Sequence, residues 1–432
     1  MKWLIYNALF AVVFPLMLPG FLLRMLRRGG YRARMGDRFA LYPETVRRRL
    51  LEGGWVWIHA VSVGEVQVAG QLMREWRKVE PSVRFCFSTT SSTGWKMAER
   101  EVGPNDVLIY NPLDFPNFVK SALSTVKPRA IVLTESEIWP IFIRTAKKRG
   151  IPLFLINARV SDRSAPRYRA ARLWFGDVFR CFSRIFAQSD LDKSRLVAAG
   201  APDSTVAVTG SFKFDVAKRN SAKEAELRDW IVAPPNAKIL LGGSTWPGED
   251  EVLLSIYSNL VKDGKNDDLL LVLAPRHFEK ADAVESNIAK AGFSCVRRSR
   301  GESGQSAAKE GRKPVFLADT TGELMGLYGL ATVVFVGKSI CAHGSQNMIE
   351  PCLCGKPTLV GPYTENFRPV MSDLTEAKAI LQVRDAAELE REVARLLADA
   401  SAVAALGSRA SEAVQRRTGV VPRCVAEIRE AI

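Results

Sequence analysis

Polar residues follow short apolar runs at several points of this chain. Apolar runs of this length are typical of sheet strands, and in open parallel sheets ligands bind just beyond the carboxyl ends of the strands. In the segment HAVSVGE, residues 59–65, a strand-like run ends and Gly64 permits a tight turn before a helix. Glu65 is then expected at the carboxyl edge of a sheet, where a carboxylate can take part in catalysis. Ser62 and Gly64 lie where backbone N–H groups can hold an anion. The structural alternative is that Glu65 only complements the helix dipole in its first turn.

A second carboxylate-bearing segment is TESEIWP, residues 134–140, which follows the apolar run AIVL. If this segment is extended, Glu135 and Glu137 point to opposite sides of the chain and do not act as a pair. One of them can orient a substrate hydroxyl while the other is solvated. The alternative is a helix start with acidic residues in its first turn.

The second half of the chain carries residues suited to a nucleotide phosphate. Arg276 follows an apolar run in the segment APRH, residues 274–277, and arginine binds phosphate in a bidentate manner. The segment HGSQNMIEP, residues 343–351, predicts a glycine-rich turn that runs into a helix near Asn347, whose N-terminus would favour a phosphate. Glu350, one turn later, can accept hydrogen bonds from a ribose diol. A plain capped helix is the alternative.

The histidines and cysteines do not predict a metal site. His59, His277 and His343 are the only histidines, and they lack HxxxH or HxH spacing. The seven cysteines are odd in number and suggest no disulfide framework, which favours free thiols in a reducing compartment. The sequence also lacks a GxGxxG fingerprint, a P-loop and a Gly-x-Ser-x-Gly elbow.

Short apolar strands alternate with amphipathic helical stretches from Trp55 onward, which predicts two α/β domains with parallel sheets and a ligand in the cleft between them. The predicted strands are 55–61, 83–89, 106–112, 130–136, 152–158 and 184–188 in the first series, and 238–244, 269–275, 294–299, 314–319, 332–337 and 357–361 in the second. A helical pattern covers residues 66–79. The polar segment 209–226 predicts a linker, and residues 299–313 predict an exposed loop.

The N-terminus predicts a membrane anchor, because residues 3–23 carry no charge and a spanning helix needs about 20 residues. Arginines follow at once, so the positive-inside rule places the rest of the chain in the cytoplasm. They are Arg24, Arg27, Arg28, Arg32, Arg34 and Arg38. A cleavable signal peptide is the alternative, but its positive region should precede the apolar run. The net charge of +15 favours an anionic partner, and the absence of a nucleic-acid motif ranks a membrane or a phosphorylated substrate above nucleic acid.

These motifs, in this order, resemble the 3-deoxy-D-manno-octulosonic acid (Kdo) transferases of lipopolysaccharide assembly. The matching segments are GDRF (36–39), HAVSVGE (59–65), FSTTSSTGW (87–95), TESEIWP (134–140), NARVSDRS (157–164), TGSFKFD (209–215), GGSTWPGED (242–250), APRH (274–277), DTTGELMGLY (319–328) and HGSQNMIEP (343–351). The resemblance implies an α/β GT-B fold, with two Rossmann-like domains, an interdomain cleft and an N-terminal anchor helix.

The domains that the resemblance implies are an anchor with its basic flank at residues 1–28, an acceptor-binding domain at 29–212 and a CMP-sugar-binding domain at 213–432. The last helix of GT-B chains often returns to the first domain. The implied reaction is an inverting, metal-independent transfer of Kdo from CMP-Kdo to an anionic lipid A precursor, with no cofactor. The implied location is the cytoplasmic face of the inner membrane, in contact with its lipids, and no nucleic acid is expected as a partner.

The resemblance also assigns residues. It implies that Glu65 is the general base and that Glu135 is a second essential carboxylate. The residues that it assigns to CMP are Pro275, Arg276, Thr321, Gly322, Glu323, Asn347, Met348, Ile349 and Glu350. Ser62, Gly64 and Lys213 fall to the acceptor side or the cleft. Another membrane-associated GT-B glycosyltransferase with a different nucleotide sugar is the alternative function.

Five positions depart from the pattern of the family. Trp246 and Gln346 stand where histidine is usual, Ser211 where asparagine is usual, Asp37 where glutamate is usual and Lys338 where glycine is usual. Most of them lie at or near the donor side or the linker. Both carboxylates are retained, which speaks against a non-catalytic scaffold. The departures therefore point to altered donor recognition, a divergent lineage or weakened activity.

Overall fold

The structure, a computed structural model, describes Trp3 and residues 32–215, 221–232, 234, 237–262, 264, 266–304 and 313–432. The expected anchor at residues 3–23 therefore lies outside the described residues, apart from Trp3. Within the part of the chain that is described, no helix is long and apolar enough to cross a membrane.

The side chains of Arg34 and Arg38, two arginines of the basic flank, are folded against the first sheet. The Arg34 guanidinium pairs with the buried carboxylate of Asp37, with Nη2 2.8 Å from Oδ2. Arg38 is only 4% exposed and donates a hydrogen bond to the carbonyl oxygen of Thr90 at 2.6 Å. These two charges stabilise the fold and do not form part of a free basic surface.

The chain forms two compact units. The first runs to Asp215 and also contains Gly419–Ile432, and the second is Val216–Thr418. The sequence-based expectation placed this boundary after residue 212 and assigned everything beyond it to the second domain, apart from a return of the last helix.

The first unit is built on a seven-stranded parallel sheet in the order β3-β2-β1-β4-β5-β6-β7. The strands are β1 (Trp55–His59), β2 (Phe85–Thr89), β3 (Val107–Tyr110), β4 (Pro128–Thr134), β5 (Leu153–Ala158), β6 (Arg184–Ala187) and β7 (Val206–Val208). Helices α1 (Glu44–Leu51), α2 (Val63–Val79), α3 (Ser92–Ala98), α4 (Pro116–Val126), α5 (Pro140–Lys148), α6 (Ala165–Ala170), α7 (Arg172–Phe179) and α8 (Asp190–Ala198) accompany them. Alternate residues of β1 enter two different core clusters, Trp55 and Trp57 on one face and Val56 and Ile58 on the other. Both faces of the sheet are therefore buried, as a parallel sheet requires.

The second unit repeats this plan with the strand order β10-β11-β9-β8-β12-β13-β14, and every neighbouring pair is again parallel. The strands are β8 (Lys238–Thr245), β9 (Leu269–Pro275), β10 (Ser294–Arg297), β11 (Pro314–Leu317), β12 (Val333–Val336), β13 (Thr358–Val360) and β14 (Leu381–Gln382). The helices are α9 (Ser221–Ile231), α10 (Glu249–Val261), α11 (Ala281–Lys290), α12 (Leu324–Leu330), α13 (Ile349–Leu353), α14 (Arg368–Glu376), α15 (Ala386–Ala398) and α16 (Ala400–Gln415).

All the strands predicted from the sequence are confirmed, with ends that move by no more than two residues. Two edge strands, β7 and β14, were missing from the prediction. They have three and two residues, too few to show a pattern of alternation.

The expectation of a polar linker at residues 209–226 was partly wrong. Phe212 and Phe214 lie in a short 3₁₀ turn and are 0% and 4% exposed, so both belong to the packed interior. Helix α9 begins at Ser221, still inside the expected linker. The composition of the segment is polar, so it did not indicate that these two aromatic residues are buried. Of the loop expected at 299–313, residues 305–312 lie outside the described part.

The last helix, α17 (Val420–Glu430), completes the core of the first unit. Val421 and Val425 are buried in the same cluster as Phe212. The carboxylate of Asp215 accepts hydrogen bonds from the backbone N–H groups of Gly419 and Val421, each at 2.6 Å. It thus caps the start of this helix, whose first N–H groups have no partner within the helix.

We expect Asp215→Ala to lower the stability of the first unit by about 1–2 kcal/mol, the usual range for a lost helix cap. Thermal unfolding of the full chain measures this as a lower Tm. Asp203→Ala is the matched control, because Asp203 is 71% exposed and only pairs with Lys193 at the surface. Equal Tm values for the two variants would contradict the capping role.

Candidate active site

The strand order of the first sheet reverses between β1 and β4, the kind of position where open parallel sheets bind ligands. His59 ends β1 and Thr134 ends β4. The Thr134 hydroxyl donates a hydrogen bond to the carbonyl oxygen of His59 at 3.0 Å, which holds the two strand ends together. The acidic residues singled out in the sequence follow directly after these two strands.

Glu65 lies in the first turn of helix α2 and reaches back to both strand ends. Its Oε2 accepts a hydrogen bond from the Val61 N–H at 2.9 Å and lies 3.1 Å from the Thr134 hydroxyl, whose single proton it shares with the carbonyl oxygen of His59. Its Oε1 accepts one from the Ser62 hydroxyl at 2.8 Å. The Ser62 oxygen in turn accepts the N–H of Glu65 at 3.2 Å, so the two residues cap the helix reciprocally.

The hydrogen-bonding capacity of Glu65 is not exhausted by these contacts. A carboxylate has about four acceptor positions, two on each oxygen. Oε2 uses both of its positions, while the described contacts use one on Oε1. The residue is 9% exposed and its carboxylate is held in one orientation. Glu65 therefore serves as a helix cap and still offers one oxygen to a hydroxyl.

The segment after β4 is a turn, whereas the sequence left an extended segment and a helix start as alternatives. Glu135 adopts φ +49°, and the N–H of Glu137 donates to the carbonyl oxygen of Thr134 at 3.1 Å. The turn keeps both carboxylates close to Glu65, since the charge of Glu65 raises the pKa of each. Three carboxyl groups thus share one strand-end site. A left-handed glutamate is uncommon and is not apparent from a residue pattern.

Glu135 lies among cations as well as carboxylates. Burial raises the pKa of its carboxyl, and the nearby charges of Arg159 and Lys213 oppose that rise. The Arg159 Nε atom is 3.8 Å from Oε2, and the side-chain amide of Asn157 donates to Oε1 at 3.3 Å. Lys213, assigned to the acceptor side or cleft from the sequence, is therefore placed beside Glu135. Burial in turn lowers the pKa of the Lys213 ammonium.

Glu137 is the residue that sequence reasoning left outside the site. Burial raises the pKa of its carboxyl to about 7, and the charge of Glu65 adds to the rise. The Trp139 indole N–H donates to its Oε2 at 3.0 Å. A carboxyl with a pKa near 7 can hold or release a proton at working pH. The only sequence signal for it was its place two residues after Glu135.

His59 lies beneath Glu137 and is fully buried. Burial lowers the pKa of its imidazole to about 4, so the ring is neutral at pH 7. Its Nδ1 is 2.9 Å from the Ser88 hydroxyl. Its Nε2 is 3.8 Å from the Glu137 carboxylate, too long for a hydrogen bond. His59 therefore forms an uncharged floor to the acidic site.

In the second unit a cavity of about 140 Å³ opens at the ends of β8, β9 and β11. Five of the residues assigned to CMP from the sequence line it. They are Pro275, Arg276, Thr321, Gly322 and Glu323. Phe278, which was not predicted, also lines the cavity, and the residue is 53% exposed. An exposed aromatic face beside an arginine is a suitable surface for a nucleotide.

The other four assigned residues do not line this cavity. Met348 and Ile349 are 0% exposed, so their side chains belong to the core. Helix α13 begins at Ile349, and the Asn347 side chain accepts the N–H of Ile349 at 3.1 Å and donates to Glu350 at 3.0 Å. Burial raises the pKa of the Glu350 carboxyl, and the charge of Arg276 opposes this rise. Glu350 therefore lies near Arg276, which does line the cavity.

Glu323 is held by basic residues and is not a free acceptor. Arg298 donates to both of its carboxylate oxygens, with Nη2 3.0 Å from Oε1 and Nε 3.2 Å from Oε2. The Lys223 ammonium is 3.4 Å from Oε1, and the Thr320 hydroxyl also binds Oε2. These contacts fix the loop that carries Thr321 and Gly322 at the cavity wall.

A second carboxylate clamp lies where the strand order of the second sheet reverses, between β8 and β12. Glu249, in the first turn of α10, is 1% exposed. Its Oε2 accepts the N–H groups of Trp246 and Lys338 at 2.8 and 2.7 Å, and its Oε1 accepts those of Ser339 and Ile340 at 2.9 and 3.1 Å. The amides of the loop after β12 are therefore already engaged by a carboxylate of the protein itself.

Two of the positions that depart from the family pattern meet above this clamp. The Lys338 ammonium lies over the Trp246 ring, 4.6 Å from its centroid. The same indole packs edge-on against the His277 ring, with centroids 5.2 Å apart. Gln346 is close by, since its N–H donates to the carbonyl oxygen of Gly337 at 3.0 Å.

Among the described residues, no group of three or more potential metal ligands is found.

Residues 33–216 match the protein family described as 3-deoxy-D-manno-octulosonic-acid transferase (kdotransferase). The chain is 31% identical over 422 residues to the 3-deoxy-D-manno-octulosonic acid transferase of Haemophilus influenzae, covering 97% of this chain and 96% of that one. It is 36% identical over 344 residues to the enzyme of that name from Bordetella pertussis, covering 77% of this chain and 76% of the relative.

Solved structures resemble the chain in fold. The Anabaena protein HepE in complex with UDP aligns with a TM-score of 0.58 at 13% identity, covering 88% of this chain and all of that one. A glycosyltransferase from Rickettsia africae aligns with a TM-score of 0.56 at 12% identity, covering 87% and 97%. At such low identity the likeness concerns the fold alone. Two parallel-sheet α/β units of this kind resemble the GT-B glycosyltransferases.

We expect Glu137→Gln to make the protein more stable than wild type at pH 8 but not at pH 5. The pKa of Glu137 is about 7 in the folded chain against 4.5 for an ordinary glutamate, so ionising it opposes folding as the pH rises toward 7. At about 1.4 kcal/mol per pKa unit, the difference is about 2–3 kcal/mol. Thermal unfolding at both pH values measures it as a change in Tm.

The matched control for this experiment is Glu99→Gln. Glu99 also accepts an indole N–H, from Trp95 at 2.7 Å, but this pair is exposed. Its substitution should shift Tm equally at pH 5 and pH 8. A Glu137→Gln variant with the same lack of pH dependence would show that Glu137 is ionised at both values.

Proposed function

The chain belongs to the 3-deoxy-D-manno-octulosonic acid (Kdo) transferase family, and we propose that it transfers Kdo from CMP-Kdo to a phosphorylated lipid A precursor. It is a glycosyltransferase. We further propose that the acceptor is this lipid, that the reaction inverts the anomeric centre and that it needs no metal ion. The observation that carries the catalytic assignment is the free acceptor position on Glu65 Oε1 at the strand-end site of the first unit.

In this proposal Glu65 is the general base. Its Oε1 takes the proton of the acceptor hydroxyl while the hydroxyl oxygen attacks the anomeric carbon of Kdo. The bond from that carbon to the phosphate oxygen breaks, and CMP leaves with the bonding electrons. Attack opposite the leaving group inverts the anomeric centre. The hydrogen bonds from Val61, Ser62 and Thr134 support this role because they hold the carboxylate in one orientation.

The remaining groups of the acidic site would act through charge. Glu135 lies beside Arg159 and Lys213, so its negative charge is partly balanced. Positive charge develops on the sugar ring in the transition state, and a fixed carboxylate nearby stabilises it. The positive charge of Lys213 complements a phosphate of the acceptor, so Lys213 can bind that phosphate. Glu137, with a pKa near 7, is suited to take over the proton that Glu65 has accepted.

The cavity of the second unit is the proposed site for CMP. Arg276 supplies a guanidinium for the departing phosphate, and Phe278 supplies an exposed ring for the base. Glu350 lies near Arg276, where it can accept hydrogen bonds from the ribose. Stabilising the leaving phosphate is the main help that a protein can give to the breaking bond.

We place the enzyme at the inner membrane, held by an N-terminal anchor, with both units on the cytoplasmic side. The support is the uncharged run at residues 3–23 and the arginines that follow it. The acceptor is a glycolipid that stays in the bilayer, so a bound enzyme meets it by diffusion in two dimensions. The net charge of +15 suits a phosphorylated lipid and an anionic surface.

The decisive experiment is a transfer assay with the full chain in detergent. Freshly generated CMP-Kdo and a tetraacylated lipid A precursor are supplied, and mass spectrometry reads the products. We expect the acceptor to gain one or more Kdo units, with the same yield in excess EDTA. Loss of transfer in EDTA would contradict metal independence. If no Kdo is transferred but a sugar is transferred from a UDP-sugar, the donor is a UDP-sugar and the proposal of CMP-Kdo is wrong.

We expect Glu65→Gln to lower kcat by at least about 100-fold, since general base catalysis usually contributes that much or more. CMP binding by the second unit should be unchanged, and Tm should fall only slightly through the weakened cap. Glu75→Gln is the matched control. Glu75 lies on the same helix, pairs with Lys78 at the surface and should not affect turnover. Turnover of the Glu65 variant within a few-fold of wild type would remove Glu65 as the base.

A further inference from the structure

Lys338 adopts a backbone conformation that lysine avoids. Its φ is +59°, in the left-handed region that costs a residue with a side chain about 1 kcal/mol and glycine little. Both of its peptide groups are fixed, because its N–H binds Glu249 at 2.7 Å and its carbonyl oxygen accepts the N–H of Ser345 at 2.7 Å. The fold thus imposes the strain. A glycine would relieve it, so the presence of lysine here requires a contribution from the side chain.

The side chain of Lys338 is placed where the second sheet is expected to bind its ligand. Lys338 follows β12 and Trp246 follows β8, and the strand order reverses between these two strands. Trp246 contacts His277, the residue after Arg276, and Arg276 lines the cavity. The ammonium therefore lies on the same strand-end edge as the arginine proposed for the phosphate.

The groups around this ammonium are donors. Among the described residues no carboxylate lies within ion-pair distance of Lys338, and the Glu249 carboxylate beneath it is occupied by backbone N–H groups. The buried indole N–H of Trp246 also lacks an acceptor within the described part of the chain. A buried donor without a partner is rare and commonly marks the place of a water or a ligand. An anion is the ligand that this pair of donors fits.

We infer that Lys338, held over the Trp246 ring, binds the carboxylate of the donor sugar. This rests on the proposed function, because it concerns the same donor. CMP-Kdo carries two anionic groups, a phosphodiester and a carboxylate on the anomeric carbon. Arg276 accounts for the phosphate and leaves the carboxylate to a second cation. The aromatic face holds the ammonium in place without neutralising it, since a cation–π contact leaves its N–H donors free.

The test compares two ligands, because CMP keeps the phosphate and lacks the sugar carboxylate. Dissociation constants for CMP and for freshly generated CMP-Kdo are measured without acceptor on wild type, Lys338→Met, Lys338→Gly and Lys338→Arg. We expect Lys338→Met and Lys338→Gly to weaken CMP-Kdo binding about 10- to 100-fold, as for the loss of a hydrogen bond between charged groups. Both substitutions should change CMP binding by less than about twofold. Lys338→Arg should keep most of the CMP-Kdo affinity. Lys290→Met, on the exposed end of α11, controls for the loss of one positive charge.

A second variant tests the role of the ring. Trp246→Leu should weaken CMP-Kdo binding in the wild-type background and have little further effect in Lys338→Met, since the two residues act as one unit. Equal weakening of CMP and CMP-Kdo, or unchanged CMP-Kdo binding in both Met and Gly variants, would overturn the inference. A wild-type protein that binds CMP-Kdo but transfers no Kdo would instead contradict the proposed function, while leaving the binding comparison valid.

Discussion

A carboxylate in the first turn of a helix ties together two strand ends in each unit, and the candidate site of each unit depends on it. In the first unit Glu65 joins Val61, two residues after β1, to the last residue of β4. In the second unit Glu249 joins the residue after β8 to the loop after β12. Parallel strands have no hairpin to fix their ends at the point where the order reverses. A buried carboxylate with several N–H or hydroxyl partners supplies that connection and holds the neighbouring groups of the candidate site.

The same device leads to two different chemical outcomes. Glu249 has all of its acceptor positions filled by backbone N–H groups, so it can only hold the loop. Glu65 has two hydroxyl partners and one backbone N–H partner, and it keeps one position on Oε1. A hydroxyl can rotate and exchange partners, whereas an amide of a closed loop cannot. The two carboxylates therefore differ in how many of their acceptor positions are filled and in whether hydroxyls help to fill them.

The sequence predicted the parts of this fold that depend on local pattern. Apolar runs located the longer strands, and the polar residues after them located Glu65, Glu135 and Arg276. It did not predict the environment of Glu137, because that depends on a left-handed turn at Glu135 and on the charge of Glu65 in helix α2. It also could not distinguish Met348 and Ile349, buried in the core, from their partly exposed neighbours Asn347 and Glu350. Burial and partnership are properties of packing between distant segments, so residue types within one motif do not reveal them.

The position of α17 has a consequence for the order in which the protein matures during synthesis. A ribosome makes the sheet of the first unit early, but the helix that covers part of its core emerges only after the whole of Val216–Thr418. The second unit, whose chain is continuous, can fold as soon as it leaves the exit tunnel. The first unit must wait with the apolar groove around Phe212 uncovered. The part of the chain that is translated first is thus completed last, and during that interval its exposed groove is the surface that a chaperone would need to protect.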